Sequence, residues 1–185
     1  PLVQGETFYL QTTFRKKIDR LNQYGIRLLA PLIDLSIDLE DARQPRVKTA
    51  VQMGVSRKEA RRAFDNALRQ QRNCQAQMKA LGRQMLQELE ADPSKFAVII
   101  FSRPYNGFVE EAHMGIPHKF ASRGIPVVPL DFLDLEDEHS KRHMYWGMGK
   151  LMMKAARVVE RHPQLFGTYI TNFSCGPDSF VVSYF

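Results

Sequence analysis

The sequence predicts an α/β fold: a Rossmann-like three-layer parallel sheet with a long amphipathic helix and a helical N-terminal part. Three observations carry this. Phe96, Ala97, Val98, Ile99, Ile100 and Phe101 form an unbroken apolar run, as a strand buried on both faces requires. Two further short apolar runs follow, alternating with helical patterns, and strand–helix–strand–helix–strand is the grammar of a parallel sheet with crossovers. Upstream, residues 56–90 hold the helical period over a length that no ordinary strand reaches. The expected organisation is a mainly helical portion over residues 1–92, with one short strand, then a β-α-β-α-β half-domain over residues 93–185, truncated at its C-terminus.

Taken in order, residues 7–24 carry Phe8, Phe14, Ile18 and Leu21 at helical spacing, and Gly25 ends the pattern. Residues 26–34 read as a short strand leading into a loop, its apolar run broken by Pro31, which argues for an edge or a strand end. Ser56 and Glu59 form a capping box. Ala60, Phe64, Ala67, Leu68, Cys74, Met78, Leu81, Met85 and Leu89 then make one apolar stripe, so Cys74 is expected to pack in the core. Gly82 is expected to bend or weaken this helix, and Asp92 with Pro93 to end it. A polar loop is expected over residues 102–115, a short helix from Pro117 to Gly124, a strand over 125–130, a helix over 143–161 and a third strand over 166–171. Pro177 suits the first turn of a last helix.

Composition narrows the functional classes. The chain has 185 residues, 44% hydrophobic and 25% charged, with a formal net charge of +6, an ordinary globular balance. Much of the positive charge precedes Pro93, in Arg15, Lys16, Lys17, Arg57, Lys58, Arg61 and Arg62. No aromatic residues interleave with it as on a base-stacking surface, so these read as solvated helix faces and no nucleic-acid partner is expected. No apolar run has membrane-spanning length, and no membrane partner is expected. Two cysteines far apart make no disulfide framework, which points to a reducing, cytoplasmic setting. The apolar residues Phe180, Val181, Val182, Tyr184 and Phe185 at the end read as an interrupted element, so the chain is expected to be a fragment whose first partner is the rest of its parent polypeptide.

Open parallel sheets bind ligands at the carboxyl ends of their strands, and each predicted strand ends in polar residues. The first delivers Ser102, Arg103, Tyr105 and Asn106, the second Asp131, and the third Thr171 and Asn172, followed by Cys175. These are the ligand-pocket candidates. An arginine directly after a buried strand either grips a carboxylate or phosphate or serves a structural ion pair, and both readings of Arg103 stand. Cys175 sits just ahead of the predicted last helix, where the helix dipole favours a thiolate. It reads as a metal ligand or nucleophile, or equally as a buried cysteine beside a turn.

Other signals are weaker. Gly147, Met148, Gly149 and Lys150 lack the rest of a phosphate loop and read as close helix packing. His113 and His118, beside Glu110 and Glu111, lack the spacing of paired ligands on one helix face and read as a solvated loop, as do the acidic residues of 131–138. Tyr105 and Trp146 read most simply as packing residues.

The run Ser102, Arg103, Pro104, Tyr105, Asn106, with Gly115, Ile116, Pro117, then Gly124, Ile125, Pro126, Val127 and Asp131, Phe132, Leu133, resembles the large activase-related proteins of the 2-hydroxyacyl-CoA dehydratase and benzoyl-CoA reductase superfamily. Tyr145, Trp146, Gly147 and the stretch from Thr171 through Cys175 to Phe180 resemble later blocks of the same family. The likeness is good over the second half and looser over the first. It implies a domain of an iron–sulfur electron-transfer protein with a [4Fe–4S] cluster, in which Cys175 is a cluster ligand and an ATPase activase or a dehydratase is the partner. One cysteine cannot hold a cluster that takes four thiolates, so the isolated chain is expected to be colourless and inactive. The alternative is a non-catalytic docking module of a larger ATPase-linked protein. A Rossmann-type binder of nucleotides or other small molecules is a third reading.

Overall fold

A computed structural model describes residues 2–35, 38–139, 142–171 and 176–185. It is mixed α/β and divides into two compact units, Pro1–Asn73 and Cys74–Phe185.

The first unit is helical: α1 (Leu2–Thr13), α2 (Arg15–Gln23), a 3₁₀ turn (Leu39–Ala42), α3 (Arg43–Gln52) and the opening of α4 (Arg57–Glu90). The expected helix over 7–24 is two helices, starting earlier and broken at Phe14, whose φ of −106° and ψ of 21° leave the helical region. The expected strand at 26–34 does not form; its described residues carry no strand. A strand exists only against a partner, and Pro31 removes one donor besides. Among the described residues of this unit few are buried: Ala42, Val47, Ala60 and Leu68. Ion pairs supplement them. Arg43 lies 2.7 Å from both Glu40 and Asp65, and its guanidinium stacks 5.4 Å over the Phe64 ring. The Ser56 hydroxyl accepts from the Glu59 N–H at 3.2 Å and donates to the Glu59 carboxylate at 3.1 Å, which begins α4.

The second unit is built on β1 (Ala97–Ser102), all six residues of which are buried. β1 is the centre of a parallel three-stranded sheet, flanked by β2 (Val127–Pro129) and β3 (Leu165–Ile170) in the order β2-β1-β3. Val98 to Ile100 pair with Val127 to Pro129, and Ala97 to Ser102 pair with Leu165 to Ile170. Side chains alternate faces along a strand, and the core divides accordingly. Ala97, Ile99 and Phe101 pack with Met85, Leu86 and Leu89 of α4 and with Met152, Met153 and Ala155 of α8 (Gly147–Arg161). Val181 of α9 (Gly176–Val182) joins that side. Val98 and Ile100 face Ile116 and Phe120 of α7 (Ile116–Ala121). The three layers are therefore helices, sheet and helix, as a Rossmann-like fold requires.

Several expectations are corrected here. Residues 102–115 are not one loop, because α5 (Pro104–Gly107) and α6 (Glu110–His113) occupy them. α8 begins at Gly147 rather than 143. α9 ends at Val182, and the chain then folds back so that Phe185 lies 4.6 Å from Phe101 and 5.4 Å from Tyr169, centroid to centroid. Gly167 makes room for it, since a Cβ there would come within 2.6 Å of the Phe185 ring. Cys74 is exposed, not core; in this unit the part of α4 that meets the sheet is the later stretch around Met85 and Leu89. Gly82 does not interrupt α4. It faces the Phe132 backbone so closely that a Cβ would collide with the Phe132 carbonyl.

Candidate functional site

β1 and β3, paired along the full length of β1, send their chains to opposite faces. β1 leads through α5 and α6 into α7, which packs on the Val98 and Ile100 face, whereas β3 leads into α9, whose Val181 lies on the Phe101 face. That divergence makes the carboxyl edge between β1 and β3 a topological switch point, the place where open α/β sheets form a crevice.

Register sets what meets there. Ser102 pairs with Ile170 as the last rung, so Arg103 and Thr171 leave the sheet side by side. Both reach Asp178, in the first turn of α9. Arg103 Nε donates to Asp178 Oδ1 at 2.7 Å, and Thr171 Oγ1 donates to Asp178 Oδ2 at 3.2 Å. Asp178 is 1% exposed, and a carboxylate so buried requires a cation and donors close by. The structure gives Arg103 the ion-pair role. Asp178 is the site residue that sequence reasoning did not single out. A signal for it existed: an acid in the first turn of a predicted helix, and an arginine leaving a buried strand in need of a counter-ion.

Ser102 is buried beneath α5, and Gly107 allows this, because a Cβ at Gly107 would collide with the Ser102 hydroxyl. Asn106 is fully buried (0% exposed), and among the described residues neither its amide nitrogen nor its amide oxygen has a hydrogen-bond partner. Such an orphaned pair costs about 1–3 kcal/mol per group and is uncommon in a native fold. Tyr105 is 51% exposed, not packed. Asn172 and Cys175 lie outside the described residues. In sequence they fall between Thr171 and Asp178.

Asp131 does not join this group. It stands in a 3₁₀ turn (Leu130–Phe132) after β2, across from Lys79 of α4. Burial is the main cause that pushes its carboxyl above the usual carboxylate range. Desolvation likewise draws the Lys79 ammonium below its ordinary value, against the attraction of Asp134 and Asp131. In the following acidic stretch Asp134, Glu136 and Asp137 are exposed, as a solvated loop requires, but contacts from other elements hold it down. Lys79 donates to the Leu133 carbonyl, Arg83 pairs with Asp134 at 3.0 Å, Lys154 donates to the Leu135 carbonyl at 3.1 Å, and Arg161 pairs with Glu138. Leu133 and Leu135 between them are buried.

The weaker signals resolve as follows. Gly149 is a packing glycine, since its Cβ would lie 2.8 Å from Met144 Sδ. His113 is not solvated: it is buried, and its Nδ1 accepts the Gly115 N–H at 3.1 Å. Trp146 packs edge-on to Phe180 at 5.5 Å. Among the described residues no group of three or more His, Cys, Asp or Glu side chains could hold a metal ion, and no helix is long and apolar enough to cross a membrane.

Fold and edge together define a Rossmann-like α/β domain whose polar residues converge on a strand-end switch point. The chain belongs to the CoA enzyme activase uncharacterised domain family (DUF2229), whose model matches residues 1–133. The match takes in Arg103, Asn106 and Asp131 and stops before Thr171, Cys175 and Asp178. No curated protein and no solved structure matches the chain.

Proposed function

We propose that this chain is the Rossmann-like domain of an iron–sulfur electron-transfer protein in a CoA enzyme activase system, with Cys175 supplying one thiolate to a [4Fe–4S] cluster completed by cysteines from outside the chain. The observation that carries the reading is the tie of Arg103 and Thr171 to Asp178 at the switch point. It holds Thr171 and Asp178, which flank Cys175 in sequence, to each other at the carboxyl edge of the sheet, and this supports the reading. The amide of Asn106, buried in the turn that follows Arg103 with no partner among the described residues, supports a site that is completed by something further.

The donor set of this chain does not fit a cluster on its own. A [4Fe–4S] centre takes four cysteine thiolates, and the chain has two cysteines, of which Cys74 is exposed on α4. The cluster is therefore a shared one, and the remaining domains of a parent chain, an activase ATPase or a dehydratase subunit are its other contributors. Ser102, Arg103, Tyr105, Asn106, Thr171 and Asn172 would shape the surroundings of that thiolate. The test is anaerobic expression of the intact parent protein with Cys175 and with Cys175→Ala, measuring iron, sulfide and the EPR signal. Loss or alteration of the cluster signal in the variant is expected. Iron that is absent from both proteins, or unchanged by the substitution, would refute the ligand role and favour the docking-module reading.

A further inference from the structure

Phe180 follows Asp178 by two residues, which on an α-helix is about 200° of rotation. Asp178 is buried at the switch point, and Phe180 is half-exposed elsewhere on α9. There a cavity of about 340 Å³ is lined by Arg142, His143, Met144, Phe180 and Tyr184. Its size falls within the range of small-ligand sites, roughly 300–1,000 Å³.

The lining has two distinct parts. One is an aromatic wall. Phe180 stands 5.1 Å from Tyr184 and 5.5 Å from Trp146, centroid to centroid, and it remains 47% exposed beside a Tyr184 that is 49% exposed. Met144 is held in place behind it, buried against the side-chain-free face of Gly149, where Val181 also packs. The other part is cationic. Among the described residues, neither Arg142 nor His143 has an ion pair or side-chain hydrogen bond, so no carboxylate neutralises the arginine. An aromatic wall offers a stacking face to a planar ring. An unpaired guanidinium offers a forked donor set to phosphate.

We propose that this cleft binds a nucleoside phosphate, with the base against Phe180 and Tyr184 and a phosphate on Arg142. The choice follows from both halves of the lining. An acyl chain would have no use for the guanidinium, and inorganic phosphate none for the rings. The site stands on residues separate from Cys175 and does not depend on its role. A free nucleotide and the adenosine phosphate end of coenzyme A share this chemistry.

The chain carries its own reporter, because Trp146 is its single tryptophan and touches the wall residue Phe180. Trp146 fluorescence, excited at the red edge of its band, is followed on titration with ADP, coenzyme A and adenosine. A saturable change with ADP or coenzyme A is expected, and about tenfold weaker binding of adenosine, the loss of one charge-assisted contact. Arg142→Gln should erase the advantage of the phosphate-bearing ligands and leave adenosine binding as it was. Phe180→Leu, which keeps an apolar side chain but removes the ring face, should weaken all three. Tighter binding of coenzyme A than of ADP supports the site with coenzyme A as the source, and the reverse order supports it with a free nucleotide. The proposal is overturned if no ligand gives a saturable change, if adenosine binds as well as ADP and coenzyme A, or if Arg142→Gln changes nothing.

Discussion

Replacing Arg103 with methionine removes the cation from Asp178 and retains most of the side chain's apolar bulk. Asp178 is 1% exposed, and the Arg103 side chain is 21% exposed. Once Arg103 is gone, Thr171 is the side-chain donor to that carboxylate that remains among the described residues. Breaking a buried pair from one side costs about 3–5 kcal/mol, because the other charge is left uncompensated. The partial exposure of the guanidinium argues for the lower end, about 3 kcal/mol. Against a total stability of about 5–15 kcal/mol for a domain, this is a large fraction. With a urea m-value of about 1–3 kcal/mol/M, the midpoint should fall by at least about 1 M. The assay is equilibrium urea unfolding followed by Trp146 fluorescence, which reports on the unit of residues 74–185 that contains the pair. A second variant, Arg103→Met with Asp178→Leu, removes both charges and should recover most of the loss, since buried pairs often yield to apolar replacements without penalty. A loss below about 1 kcal/mol in the single variant, or a double variant no more stable than it, would refute the reasoning that Arg103 serves chiefly to neutralise Asp178.

Two further outcomes follow from single side chains. Gln164 Nε2 donates to the carbonyls of Leu89, Asp92 and Lys95 at 2.8–2.9 Å, tying the end of α4 to the start of β1; Gln164→Leu should cost about 2 kcal/mol, read as a lowered urea midpoint with faster hydrogen exchange around residues 90–97, and unchanged exchange there would count against it. Burial raises the Asp131 pKa in the folded state, so the folded protein binds this proton more tightly than the unfolded chain does. The cost of its charge is present above the raised pKa and is relieved as pH falls through it toward the unfolded value. Asp131→Asn should therefore stabilise the protein at pH 7, with the gain shrinking as the solution is acidified; a variant less stable at neutral pH, in a thermal-unfolding series over pH, would contradict this.

How much of this was legible in the sequence differs by element. β1 was legible because burial on both faces demands an apolar residue at every position, and Ala97 to Phe101 satisfy that demand without reference to a partner. α4 and α8 were legible from their period. Residues 26–34 misled because an apolar run records a wish for burial, not the presence of a strand alongside. Cys74 misled for a related reason: a helical stripe shows which side of α4 is apolar, and only the packing shows how much of it is covered. The acidic stretch after β2 is solvated in part, as read, but the contacts that hold it were not legible because Lys79, Arg83 and Arg161 stand on other elements.

The candidate site shows the same division. That Arg103 and Thr171 share an edge followed from strand order in the chain, since parallel strands place their ends together. The sequence by itself determined the fold class, the long helices and that edge, because these depend on local periodicity and on connectivity. Only the tertiary structure decided that Asp178 is what Arg103 and Thr171 hold, that Asn106 is buried without a partner among the described residues, and that Asp131 turns away toward Lys79. Each of these depends on register, on the side of β1 a neighbouring strand takes and on the depth of burial; Arg103 and Asp178, or Lys79 and Asp131, stand far apart in the chain, and a local pattern carries no information about their meeting.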